Sequence, residues 1–258
     1  SLTPTEDAVL NRALILTYRQ KGITDDPATH KLEAPRLEDL YRALVGMEDE
    51  VAKNVSARLE KYVMGSVKGI FDQQSNVDLD GKITVFTLRE LADEIRPIVM
   101  FMILDYIWTK VRRDLKRRLL VVDEAWYLMR HEDSAKILQG FVKRARKYYL
   151  GVTVISQNVD DFLGSAYGKA IVTNSALQML LKQSTAAINQ VADTFYLSQG
   201  ERHMLLSANV GEGLFFAGQN HVALRVVSSP DEHALATSKP SEVIERKRIE
   251  AEQITNPK

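Results

Sequence analysis

Two carboxylates stand side by side at Asp123 and Glu124, directly after the apolar run Leu119-Leu120-Val121-Val122 and before Ala125 and Trp126. The apolar run reads as a buried strand, and acids at its carboxyl end sit where ligands collect in an open α/β sheet. One carboxylate there can hold the water shell of Mg²⁺, and a second can polarise the water that attacks the γ-phosphate of ATP. The order of the acids fits Asp123 to the metal and Glu124 to the water, the pattern of a Walker B strand. The competing reading is structural: the pair caps the next helix and favours its positive end.

Gln157 ends the apolar run Gly151-Val152-Thr153-Val154-Ile155-Ser156. If that strand lies parallel beside the first, its amide reaches the same rim, where it can orient the attacking water or sense the γ-phosphate. Otherwise Gln157 is a polar residue leaving a strand. The helix before it carries Ile137, Leu138, Phe141, Ala145 and Tyr148 on one stripe, flanked by Arg144 and Arg146. A planar guanidinium beside a nucleotide neutralises developing phosphoryl charge, often across a subunit boundary, so either arginine is a candidate finger. A basic last turn also complements the helix dipole with no ligand at all.

Other chemistry-bearing patterns fall away on spacing. Gly164-Ser165-Ala166-Tyr167-Gly168-Lys169 has three residues between its glycines instead of four, and Ala170 where Ser or Thr should ligate Mg²⁺, so it reads as a loop. Asn76 to Gly81 has the acid spacing of a calcium loop, but Thr87 stands where the closing Glu belongs, so a turn at Asp80-Gly81 is expected. His30, His131, His203, His221 and His233 show no metal-ligand spacing, and no serine sits in a nucleophile elbow.

The elements that must position the acids alternate. Residues 1–65 read as all-helical, opened by a capping box at Thr3 and Glu6 with Pro4 at the first helical position. The expected apolar stripes are Val9, Leu10, Ala13, Leu14 and Tyr18, then Leu37, Leu40 and Leu44, then Val51, Val55, Leu59 and Val63. Beyond residue 65, Lys82–Leu88 reads as a strand, and residues 96–118 as a long, mostly buried helix. Next come the acid-bearing strand, a helix over Ser134–Tyr149, and strands at 151–157 and 177–182. A helix over 185–197 and a hairpin at 213–227 close the series. Alternating strands and helices predict an α/β fold with a mostly parallel sheet covered by helices on both faces. Ser198 and Glu201 form another capping box, and residues 241–258 read as a charged, solvated or frayed helix.

Composition bounds the partners. In 258 residues, 34 basic and 34 acidic side chains cancel, so no global field draws in DNA or an anionic membrane, and any such contact needs a local patch. The basic run Arg112–Arg118 lacks interleaved aromatics and reads as a solvated helix end. With no cysteine there is no disulfide framework or thiolate metal site, which fits a cytoplasmic setting. The apolar run Ile98–Leu104 is far short of the ~20 residues that span a bilayer. The first ten residues carry no leader pattern and no initiator methionine, and the chain is expected to be part of something longer.

At "LLVVDEAWYLM", "RARKYYLGVTVISQNVDDF" and "VVSSPDEHALATSKP" the chain resembles the type IV secretion and conjugal transfer ATPases, within the FtsK/HerA group of RecA-like motors. The likeness covers most of residues 82–240. It implies a RecA-like P-loop NTPase core at 66–240, an inserted all-helical subdomain at 1–65, and a hexameric ATPase at the cytoplasmic base of an envelope-spanning channel. Such a motor, peripheral at the bacterial inner membrane, would power pilus assembly or the transfer of DNA and protein alongside other channel components. The family's strand acids match Asp123 and Glu124, its strand-ending glutamine matches Gln157, and its arginines match Arg144 and Arg146. The departure is the phosphate-binding loop: no GxxxxGK[ST] occurs in these residues, so it is expected upstream of Ser1. Without its amides and lysine the isolated chain should bind ATP weakly or not at all. A non-catalytic docking platform and a DNA-pumping coupling motor are the alternatives.

Overall fold

The computed structural model describes residues 2–76, 81–88, 90–157 and 159–255. These fall into two compact units, Ser1–Phe86 and Thr87–Lys258.

The first unit is helical. Helix α1 (Pro4–Gln20) begins at the Thr3–Glu6 capping box, in which the Thr3 N–H donates to Glu6 Oε2 at 2.7 Å. It ends in a Schellman turn: Gly22 takes φ +77°, and the Ile23 N–H reaches back to the Tyr18 carbonyl at 3.0 Å. Helices α2 (Leu37–Val45), α3 (Glu50–Val63) and the short α4 (Lys68–Phe71) follow. Their core joins Val9 and Ala13 to Leu40, Leu44, Ala52 and Val55. The buried stripe of α1 therefore runs Val9, Ala13, Thr17, and the expected members Leu14 and Tyr18 are exposed. Thr17 is accommodated because its hydroxyl donates to the Ala13 carbonyl at 2.7 Å. Asp72, buried after α4, accepts from the Glu38 N–H at 2.8 Å and so satisfies an orphan donor in the first turn of α2.

Lys82–Leu88 is not a strand. Ile83 and Val85 are 86% and 78% exposed, and apolar character without a neighbouring ladder cannot form one. The turn expected at Asp80-Gly81 and most of the calcium-like loop fall outside the described residues.

The second unit opens with α5 (Arg96–Arg113) and β1 (Arg118–Val122), then α6 (Trp126–Met129), α7 (Glu132–Arg144) and β2 (Leu150–Val154). Helix α7 tightens into a 3₁₀ turn at Ala145–Tyr148 before β2. Next are α8 (Val159–Leu163), α9 (Ala166–Asn174), β3 (Leu177–Leu181), α10 (Ile188–Phe195) and α11 (Gln199–Ser207). The chain closes with β4 (Glu212–Ala217), β5 (Asn220–Arg225), α12 (Pro230–Ala236) and α13 (Pro240–Thr255).

The fold is α/β. The expected parallel pairing is realised between β1 and β2, with Leu120 opposite Val152 and Val122 opposite Val154. Strands β3, β4 and β5 form a separate antiparallel sheet in that order, closed by a two-residue turn with Gly218 at φ +62°. A single core of Leu104, Trp108, Val111, Val122, Leu138, Phe141, Leu150 and Ile171 ties α5, α7 and α9 to the parallel pair. Trp108 meets Phe141 and Tyr148 edge-on at 4.8 and 5.1 Å. Helix α5 is less buried than its composition implies: Leu104, Trp108 and Val111 face the core, while Phe101, Met102 and Tyr106 are exposed. Alternation along β1 likewise leaves Leu119 and Val121 exposed, at 82% and 60%.

The Gly164–Lys169 segment is not simply a loop. Ser165 caps α9, its hydroxyl accepting from the Gly168 N–H at 2.9 Å, and Gly168 is buried within the helix.

Candidate functional site at the ends of the parallel strands

The parallel register dictates the site. Because Val122 pairs with Val154, the residues that follow each strand leave the sheet on the same rim. The pairing continues past the last ladder residue: the Ile155 N–H donates to the Val122 carbonyl and the Ala125 N–H to the Ile155 carbonyl, both at 2.9 Å. Asp123 and Glu124 are held in the short arc between these two bonds, ahead of the fully buried Ala125.

Within that arc Glu124 takes a left-handed backbone conformation, φ +49°. For a residue with a Cβ this costs on the order of 1–3 kcal/mol and persists only where the surroundings enforce it. Its N–H donates to Asp123 Oδ1 at 2.9 Å. Its side chain is half-buried and engaged at both oxygens: Gln157 Nε2 donates to Oε1 and Trp126 Nε1 to Oε2, each at 2.5 Å. Asp123 is exposed, with a single oxygen occupied by the neighbouring N–H.

The structure thus brings Asp123, Glu124 and Gln157 together. It keeps Arg144 and Arg146 apart from them. Helix α7 and its 3₁₀ turn lead into the amino end of β2, whereas the acids lie past the carboxyl end of β1, and Arg118 at the start of β1 pairs with Leu150. Arg144 donates from Nε to the Gly140 carbonyl at 3.1 Å and stacks its guanidinium 4.6 Å from the Trp108 ring. Both arginines are exposed.

Trp126 is the partner that the residue types did not single out. Its ring lies 4.1 Å from that of Tyr127 and 4.4 Å from the Arg130 guanidinium, and Arg96 donates to the Tyr127 hydroxyl at 2.8 Å. The available signal was a tryptophan two residues beyond a glutamate in a strand-to-helix turn.

The donor set suits Mg²⁺ better than a caged metal. No group of three or more acids or histidines that could hold a metal ion exists among the described residues. Mg²⁺ keeps several waters and takes one or two carboxylates together with substrate phosphates, which is what an exposed Asp123 offers. His221 and His233 are instead paired with Glu201 and Glu242, at 2.9 and 3.0 Å.

A parallel strand pair ending in adjacent acids, flanked by a glutamine and backed by helices, accords with an α/β fold of the RecA-like P-loop class. The profile of the TraG P-loop domain matches residues 38–218, and the chain belongs to that family, among the type IV secretion and conjugal transfer ATPases. It is similar to VirB4 of Thermoanaerobacter pseudethanolicus, with a TM-score of 0.78 and 31% identity over 90% of this chain and 66% of that one. It is also 30% identical over 120 residues to the DNA import protein CedB of Sulfolobus acidocaldarius. That alignment takes in 43% of this chain and 20% of CedB. The chain therefore spans under two thirds of either relative. No helix among the described residues is long and apolar enough to cross a membrane.

Proposed function

We propose that these residues form the metal-and-water half of an ATPase motor site, in which Mg-ATP hydrolysis energises pilus assembly and the transfer of DNA or protein through a type IV secretion channel. The observation that carries this reading is the convergence of Asp123, Glu124 and Gln157 at one strand rim, with Gln157 bonded to Glu124. Asp123 would hold the water shell of Mg²⁺, which would supply positive charge against the phosphates. Glu124 would accept a proton from the water that attacks the γ-phosphorus while the bond to the β-phosphate oxygen breaks and ADP departs. Gln157 would orient that water. Arg144 and Arg146, at the far edge of the strand pair, are better placed to serve a neighbouring subunit than their own site, which accords with a ring, taken here as a hexamer.

Two further parts belong to the same proposal. No GxxxxGK[ST] stands in these residues, so the amides and lysine that cradle phosphate must come from elsewhere in the full-length protein. The helical segment 1–65 would be a subdomain added to a motor core at 66–240, with 241–258 as a charged tail. The motor would be cytoplasmic, sit peripherally at the bacterial inner membrane and assemble with other channel components. The test is Mg²⁺-dependent ATP turnover by the full-length protein: Asp123→Ala should abolish it, and unchanged turnover would remove Asp123 from the metal.

A DNA-moving motor is the second reading, favoured by the similarity to a protein described as importing DNA. Equal numbers of basic and acidic residues speak against a strong backbone footprint in this segment. DNA binding by the full-length protein with a steep salt dependence would favour it. A docking platform without turnover would be favoured if the full-length protein carried no phosphate loop.

A further inference from the structure

We infer that Trp126 is a positioning residue for the water-polarising carboxylate: its indole N–H and the Gln157 amide together fix both oxygens of Glu124. The inference rests on the assignment of Glu124 above and adds a residue that it does not require.

Three observations carry it. The indole Nε1 donates to Oε2 and the amide Nε2 to Oε1, each at 2.5 Å, so rotation of the carboxylate breaks one bond or both. The two donors come from different strands' ends, so the carboxylate orientation reports the β1–β2 register. The indole itself is held: Tyr127 lies 4.1 Å from its ring, the Arg130 guanidinium 4.4 Å, and Tyr127 is in turn bonded to Arg96 at 2.8 Å. A donor whose ring is packed against such neighbours presents its N–H with little rotamer freedom to lose, which is what orientation of a base by a third group requires.

The chemistry leaves room for the water. An ionised carboxylate offers about four lone-pair sites, and the two donors occupy one on each oxygen. Trp126 and Gln157 therefore set the plane of the carboxylate without blocking it. The left-handed backbone of Glu124 aims the side chain into this pair of donors, and the Ala125–Ile155 bond anchors the turn behind it.

The first arm of the test needs no nucleotide. In ¹H–¹⁵N spectra of this chain, the two tryptophans give two indole signals, each assigned by through-bond and through-space correlation to its own backbone amide. The Trp126 indole should lie downfield and move upfield in Glu124→Ala, while that of Trp108 stays; a Trp126 signal indifferent to Glu124→Ala overturns the inference. The second arm is kinetic, in the full-length protein. Trp126→Phe keeps the stacked ring and loses the donor, so kcat should fall about tenfold with KM for ATP within twofold. Unchanged kcat in Trp126→Phe beside a dead Glu124→Gln overturns the positioning role and leaves Glu124 as the base. Full turnover in Glu124→Gln overturns both. Because the spectral arm reads the contact in the unsubstituted indole, a Trp126→Phe protein that failed to fold would still leave the inference decided by Glu124→Ala.

Discussion

Gln157 reaches from the end of one parallel strand to Glu124 at the end of its neighbour, amide nitrogen to carboxylate oxygen at 2.5 Å. The bond exists because the register sets Val122 opposite Val154, so the two chains leave the sheet together. In the proposed chemistry Gln157 orients the water that Glu124 polarises. Gln157→Ala in the full-length protein should therefore lower kcat by about 10²-fold with little change in ATP affinity. Steady-state kinetics check this, and an effect confined to KM would reassign Gln157 to ground-state binding.

Gly168 sits where two helices meet. A Cβ added there would lie 1.8 Å from the Phe162 carbonyl oxygen, which is backbone and cannot swing away. Gly168→Ala should destabilise the second unit by about 3 kcal/mol or more, as overpacking does when no side chain can yield. Thermal unfolding should show a Tm lower by roughly 10 °C; a Tm unchanged from the wild type would mean that α8 and α9 separate easily.

Asp72 is buried, accepts from the Glu38 N–H at 2.8 Å, and lies 3.6 Å from Lys68 Nζ. Asp72→Ala strands the amide at the start of α2 and should cost about 1–3 kcal/mol. Asp72→Asn retains an acceptor and should cost less. Urea unfolding of the two variants orders them, and equal losses would show that the charge matters more than the bond.

The carboxyl of Glu242 is lowered from the usual 4.5 to about 2, first by the Thr237 hydroxyl, then by Lys239 and His233. A carboxylate depressed in the folded state adds stability above its unfolded pKa and loses it as pH falls toward the folded value. The attachment of α13 through these residues should hold above pH 4.5 and weaken between there and about pH 2. Amide exchange over residues 240–246 reads this directly. Exchange that is flat across the window, or already fast at neutral pH, would contradict it.

Features governed by a few adjacent residues were legible in the sequence. The capping boxes at Thr3–Glu6 and Ser198–Glu201 form as read, because a hydroxyl and a carboxylate three residues apart need no distant partner. The 217–220 hairpin turn was legible for the same reason, as was the buried stripe of Leu138, Phe141 and Ala145. What depends on distant neighbours was not. Ile83 and Val85 have strand-forming side chains and no strand to pair with. Helix α5 has apolar residues around its circumference, yet only the stripe facing α7 is covered. The separate antiparallel sheet of β3, β4 and β5 depends on a register that periodicity does not specify. At the site, the adjacency of the acids was visible in one short run, and that of Gln157 followed once the strands were taken as parallel. The left-handed turn at Glu124 and its bond to Trp126 were not visible, since a positive φ at a non-glycine residue has no compositional mark.

The most direct test of the central claim is ATP turnover and ATP binding by the full-length protein carrying Glu124→Gln. The substitution keeps the shape of the side chain and removes its capacity to take a proton from water. The account predicts turnover lowered by about 10²-fold or more, with nucleotide affinity held within a few-fold. Turnover equal to that of the unsubstituted protein would contradict it and remove Glu124 from the role assigned to it.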